Sequence, residues 1–248
     1  MMHKKKLVIV SISTGLAVAI AVTFITLALP IWKQKVKTTQ EWLNDFKACL
    51  TIQKDDSEQK TERSIIITED GEEVAKYYQV VEIKNQNEEK VAHLIVKEEF
   101  PTLATNDFDT YDEYYFIDGT MYMQRIAAGE TNGSSFGSAF DIFWEVVSEN
   151  LGSASYNFNE SNFTNLQLTH EGKSHKLTAL ISEQKKQSFF VGAEDLASMS
   201  EISIAMTYEE SGYYDLTIKY KYQDNQFVTI RVIKSEPTEI EIKDFVQR

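Results

Sequence analysis

The sequence predicts a mainly β (α+β) protein with an N-terminal transmembrane helix, and three observations carry that prediction. From Glu62 onward apolar and polar residues alternate with a period of two, and the runs are punctuated by turn dipeptides such as Asp70-Gly71 and Asp118-Gly119. Within that pattern one stretch, Ser138 to Leu151, changes to helical spacing. Ahead of both lies a run from Leu7 to Leu29 without a charged residue. Counting the alternating runs gives about ten to eleven antiparallel strands with helices inserted at the start and in the middle, which argues against a parallel α/β architecture.

Residues 1–6 form a short basic tail containing Lys4, Lys5 and Lys6, and residues 7–29 are the uncharged run, ended by Pro30. As a helix that run would reach about 35 Å, enough to cross a bilayer core, whereas the apolar core of a secretory signal is usually about 7–15 residues. An uncleaved signal-anchor is therefore expected, with the tail in the cytoplasm. The competing reading is a signal peptide cut after Ala28, with Thr26 and Ala28 at the cleavage positions. Either way the rest of the chain is exported, so the expected location is the cell membrane, single-pass, with the domain on the extracytoplasmic side. Residues 30–37 are a tether. Cys49 lies too far along, with Lys47 two places before it, to serve as a lipidated cysteine.

Residues 38–248 are expected to form a single β-rich domain. Thr38 with Glu41 has capping-box spacing, and Trp42, Leu43, Phe46, Cys49 and Leu50 recur with helical period. Lys54 to Lys60 reads as a charged loop. Strands are expected at 62–69, 72–84, 90–98, 111–117 and 120–126, and Gly129 to Gly137 reads as a flexible loop. In Ser138–Leu151, residues Phe140, Phe143, Trp144, Val147 and Leu151 fall on one stripe, with Ser138 as cap and Gly152 as stop. Strands at 163–170 and 173–181 follow, then a helical patch near 193–199 and a second meander. In the meander Ile202, Ile204, Met206 and Tyr208, then Tyr214, Leu216, Ile218, Tyr220 and Tyr222, then Val228, Ile230 and Val232, each mark one face, and Ile240 with Ile242 suggests a last strand.

Composition excludes several classes of function. The chain has 248 residues and a net charge of −13, yet residues 1–38 hold six lysines and no acid, so 19 basic against 38 acidic residues remain for the domain. Such a surface repels phosphate backbones, and nucleic acid is not an expected partner. The single cysteine excludes an internal disulfide and multi-thiolate metal sites. No nucleophile elbow, phosphate loop or H-E-x-x-H motif occurs, so no enzyme, cofactor or metal is expected. Asp107, Asp109 and Asp118 have positions 1, 3 and 12 of a calcium loop, but Asp112 occupies the position that needs glycine, and a solvated acidic loop is the better reading. His170 and His175 flank a turn with no zinc spacing, and His93 is expected to point outward. An exported hydrolase would need a cleft where histidine and carboxylates converge.

The hairpin Tyr115-Phe116-Ile117-Asp118-Gly119-Thr120-Met121-Tyr122 sits within an order of elements that resembles the LolA/LolB-like half-barrel proteins: exported N-terminus, amphipathic helix, long meander, central helices, second meander. The resemblance covers nearly all of residues 38–248. It implies a curved antiparallel sheet, an open half-barrel whose concave face is covered by helices and holds lipid or lipoprotein acyl chains, with Ser138–Leu151 as the lid. The retained anchor departs from that family and favours a tethered binder over a shuttle. The expected function is then membrane-anchored, non-catalytic binding of an apolar ligand, a lipid or lipid-linked envelope component. Phe140, Phe143, Trp144 and Val147 would face the ligand together with Met206, Leu216 and Tyr220. The alternative is a structural or protein-interaction module of the cell envelope, with an envelope protein as partner, whose half-barrel is filled by its own helices.

Overall fold

The computed structural model describes residues 37–50, 58–86, 89–103, 109–127, 130–137, 140–151, 155–191, 196–223, 225–242 and 246. The expected cytoplasmic tail, the uncharged run, most of the tether, Ser138, Gly152 and Asp107 lie outside these residues. The chain divides into two compact units, Met1–Thr38 and Thr39–Arg248, and the second holds every strand and helix of the described fold. Among the described residues no helix is long and apolar enough to cross a membrane.

Eleven strands form one curved, unclosed antiparallel sheet. After helix α1 (Thr39–Cys49) come β1 (Gln59–Glu69), β2 (Glu72–Gln86), β3 (Glu89–Glu99), β4 (Thr110–Ile117), β5 (Thr120–Ala127) and β6 (Glu130–Gly137), each beside the last. The other half follows helix α2 (Phe140–Leu151) and contains β8 (Phe163–Glu171), β9 (Ser174–Ile181), β11 (Met199–Glu209), β12 (Tyr214–Tyr222) and β13 (Gln226–Ser235). Their order across the sheet is β6-β5-β4-β3-β2-β1-β13-β12-β11-β9-β8, so the two meanders join at the β1–β13 pair. The β1–β2 and β4–β5 turns have the expected chemistry: Asp70 and Gly71 take φ of 52° and 87°, and Asp118 and Gly119 take 52° and 68°. Two successive left-handed residues make the hairpin turn whose twist suits paired strands.

Four expectations are corrected. Residues 130–137 are strand β6 rather than a flexible loop, because the exposed edge of β5 supplies a complete ladder from Thr120↔Gly137 to Ala127↔Glu130. Pairing of this kind overrides the low strand preference of Gly, Ser and Asn, and the polar character suits an edge. Helix α3 (Lys186–Phe189) and a two-stranded ribbon of β7 (Ser155–Tyr156) with β10 (Phe190–Val191) were not expected; their short apolar runs show no resolvable period. In the expected helical patch Leu196–Ser198 form a 3-10 turn and Met199 already belongs to β11, while residues 193–195 lie outside the described residues. Ile240 and Ile242 are not in a strand; they lie in an extended segment packed against Val91, Tyr115, Ile117 and Tyr122.

Two apolar cores sit on the same side of the sheet. In the first, Leu43 and Phe46 of α1 and the ring group Tyr156, Phe158, Phe189 and Phe190 cover β9, β11 and β12. In the second, Phe143 and Val147 of α2 cover Val81, Ile83, Ala92, Leu94, Tyr114, Phe116 and Met121 on β2 to β5. A row of directly opposed residues, Tyr214, Lys234, Thr61, Val81, Leu94 and Tyr114, begins in the first core and ends in the second. Opposed residues point to one face, so both cores share a helix-bearing face. Tyr115, next to Tyr114, points to the other face, where the segment around Ile240 covers it.

Candidate functional site

The expected ligand-facing residues separate into two groups. Phe143 and Val147 are fully buried in the second core, where the Phe143 ring lies 5.8 Å from Phe140 and 6.2 Å from Phe116. Phe140 and Trp144 pack on that core's rim and stay half-buried, with the Lys90 ammonium 4.4 Å above the Phe140 ring. Met206 and Leu216 are fully buried in the first core, and Tyr220 is half-buried beside it, 6.5 Å from Phe190. Helix α2 therefore covers β2 to β5 and not the second meander. The reason is that β9, β11 and β12 already have their cover in α1 and the Tyr156–Phe190 ring group.

Between the two cores lies a strip on β12, β13, β1 and β2. On β1 the helix-bearing face carries Gln59, Thr61, Arg63, Ile65 and Ile67 in turn. Opposite them stand Ile83, Val81, Gln79, Tyr77 and Ala75 on β2, and Lys234, Val232, Ile230 and Val228 on β13. One end of the strip is thus polar and cationic, with Thr61, Arg63, Gln79 and Lys234. The other end is apolar, with Ile65, Ile67, Ile230, Val228 and the Tyr77 and Tyr220 rings. Ile65, Ile67, Tyr77, Tyr220, Ile230 and Val232 are all half-buried, in contrast to the enclosed cores on either side. No acidic residue points to this face from β12, from β13 or from β1 up to Ile67, nor from β2 between Ala75 and Ile83.

Electrostatics link the cations to the surrounding rings. Burial raises the Tyr156 hydroxyl above its ordinary pKa, and Arg63 pulls it back. Burial and then Tyr222 raise Tyr220, again opposed by Arg63. At Cys49, half-buried against the first core, burial and Asp45 raise the thiol while Lys234 lowers it. The polar end also contains unsatisfied groups. Thr61 is 1% exposed and its hydroxyl has no hydrogen-bond partner among the described residues, nor has the buried Oε1 of Gln79. Such groups normally find partners, because leaving one unsatisfied in the interior costs about 1–3 kcal/mol.

The remaining polar groups are engaged in packing. His170 and His175 meet Nδ1 to Nδ1 at 2.9 Å, with Trp42 stacked 3.9 Å from the His170 ring, and His175 is buried. His93 points to the face opposite the helices, where its Nε2 lies 2.8 Å from Oε1 of the fully buried Glu113; the Tyr115 hydroxyl donates to the same oxygen at 3.0 Å. Burial, followed by Glu113, pushes that tyrosine far up. The Thr238 hydroxyl and backbone N–H donate to Glu82, holding the C-terminal segment down. Asp112, from the acidic stretch, pairs with Arg125 through two hydrogen bonds, and Asp109 accepts from the Phe100 backbone N–H. Among the described residues no group of three or more His, Cys, Asp or Glu could hold a metal ion.

Two hollows lie on the face opposite the helices, one lined by Glu62, Tyr78, Lys97 and Arg231, the other by Gln167, Thr178, Ser203 and Lys219. The first also has Ile66 and Ile233 in its wall and the second Ala179, Leu180, Ile204 and Ala205, so both mix polar with apolar side chains. Sequence reasoning missed the strip because Gln59 and Lys60 read as the end of a charged loop, with the strand expected only from residue 62; β1 starts at Gln59, and its pairing with β13 and β2 places it between two cores. No protein-family model matches the chain, and no curated protein matches it.

Proposed function

We propose that this is a membrane-anchored extracytoplasmic protein, held by residues 7–29, that binds an apolar ligand on the helix-bearing face of an open half-barrel without catalysis. In this reading the helix-bearing face is concave, in keeping with the LolA/LolB-like resemblance, and the ligand is a lipid or lipid-linked component of the envelope. The observation that carries it is the row of Ile65, Ile67, Tyr77, Ile230 and Tyr220, which stays half-buried between two cores whose central side chains are fully enclosed. Covering apolar surface releases about 25 cal/mol per Å², so an acyl chain laid along that row gains affinity without any reacting group. Phe140, Trp144 and Tyr220 form the borders of the site; Phe143, Val147, Met206 and Leu216 are its foundations.

A second reading, a structural or protein-interaction module, is favoured by one observation: those four residues are already enclosed by the chain itself. Binding of the uncharged dye Nile red to the full chain, and its displacement by hexadecanol, separates the two. Ligand binding requires displaceable dye whose signal falls in Ile65→Gln, a substitution at a half-buried position. Absence of binding, or binding indifferent to Ile65→Gln, supports the module.

A further inference from the structure

We infer that the face opposite the helices, over β2 to β4, is a binding site for an extended peptide segment of a partner protein, and that residues 236–242 of this chain occupy it in cis. The inference stands apart from the apolar-ligand reading, which concerns the other face. β13 ends at Ser235; Pro237 cannot donate to a ladder, and the chain leaves the sheet. Ser235 lies level with Lys60 on β1 and, through it, with Glu82 on β2. From there the segment crosses the strands: Thr238 meets Glu82, Ile240 meets Gln86, and Glu241 reaches Tyr115 on β4. In Thr238-Glu239-Ile240-Glu241-Ile242 the isoleucines turn to the sheet and the acids to solvent, the alternation of an extended peptide.

Three features make this a site with an occupant rather than a continuation of the sheet. Side chains alone hold the segment's backbone: among the described residues no backbone–backbone hydrogen bond joins 236–242 to the sheet. Glu82 accepts from the Thr238 hydroxyl at 2.9 Å and from its N–H. Gln86 clasps Ile240, accepting from its N–H at 3.0 Å and donating to its C=O at 3.5 Å. A side-chain amide used in this way accepts any backbone except that of proline, and Glu82 adds a preference for a hydroxyl two residues earlier. Second, the apolar surface under Ile240 and Ile242, made by Val91, Tyr115, Ile117 and Tyr122, belongs to strands paired with one another independently of the segment. Third, release orphans nothing. The single Tyr115 hydroxyl proton has the Glu113 carboxylate 3.0 Å away and the Glu241 carbonyl 3.1 Å away, and it can serve only one. The carboxylate is the stronger acceptor, so the phenol keeps a partner when the segment leaves, and Glu82 and Gln86 then open to water. The ligand that fits is an extended segment of Thr-x-Ile-x-Ile type.

A fluorescein-labelled peptide of residues 235–242, SEPTEIEI, added to the full chain and followed by anisotropy, tests this. In the native protein the attached segment competes, and the peptide is expected to bind weakly. Ile240→Asp in the chain empties the site and should tighten peptide binding about tenfold or more, because apparent affinity scales with the fraction of protein whose site is open. Thr238→Val, a milder change that removes one of the holding bonds, should tighten it by a smaller factor. Adding Gln86→Ala to Ile240→Asp should weaken the peptide again by about tenfold, and a peptide that itself carries Ile240→Asp should not bind. An Ile240→Asp chain that unfolds cooperatively yet binds no peptide, or binding indifferent to Gln86→Ala, overturns the site. Loss of cooperative unfolding in Ile240→Asp, with no gain of binding in Thr238→Val, would show the segment to be part of the fold and overturns it too. Oligomers of the native chain that Ile240→Asp dissolves would overturn the foreign partner and name a second copy as the occupant.

Discussion

Leu216→Ala is expected to lower the free energy of unfolding by about 2–5 kcal/mol and Phe143→Ala by about 3–5 kcal/mol, the largest single effects on this domain. Both side chains are fully buried, Leu216 beneath α1 and the Tyr156–Phe190 ring group, Phe143 between α2 and the Val81–Leu94–Phe116 surface. Each truncation removes apolar contact and leaves a cavity that the rigid sheet cannot close. Because the two residues belong to separate clusters, milder changes made in pairs should add. Val147→Ala with Ile218→Val should cost the sum of the single losses to within about 0.5 kcal/mol, measured by urea denaturation followed by circular dichroism. A coupling well above that would mean that the two cores are one and that no strip separates them.

Thr61→Val is expected to act in the opposite direction, raising stability by about 1–3 kcal/mol. The side chain keeps its shape and loses a buried hydroxyl that has no partner among the described residues. Thermal unfolding of the full-length variant checks this. A fall in melting temperature would mean that the hydroxyl is satisfied in the folded protein.

Much of the sheet was legible because alternation and turn chemistry are local. Asp118-Gly119 announces its hairpin in two residues, and Tyr214 to Tyr222 announces a half-buried strand in nine. Residues 130–137 were illegible for the converse reason: GETNGSSFG has no strand preference of its own, and only the edge of β5 makes it one. Ile240 and Ile242 alternate like a strand yet pack on the opposite face, held there by Ile240 N–H donating to Gln86 at 3.0 Å and by Glu82. Alternation says that two residues share a face but not what lies across from them.

The candidate site shows the same limit. The stripe of α2 could be read from spacing, and its burial at Phe143 and Val147 follows from that spacing. Which strands it covers depends on which surface remains after α1 and the Phe158–Phe189–Phe190 rings have taken theirs, and those rings come from short segments without period. The strand was expected only from residue 62, and nothing in the sequence singled out Thr61 or Arg63. Their position between two cores emerges only from the Lys234–Thr61–Val81 register.

The most direct measurement is methyl NMR on the full chain with labelled isoleucines, titrated with hexadecanol. Ile65 and Ile230 lie on the strip, whereas Ile66 and Ile233 line the hollow on the other side of the same two strands. Binding on the helix-bearing face predicts shifts at Ile65 and Ile230 with Ile66 and Ile233 unmoved. Shifts confined to Ile66 and Ile233, or no shift at any of the four at saturating ligand, would contradict it.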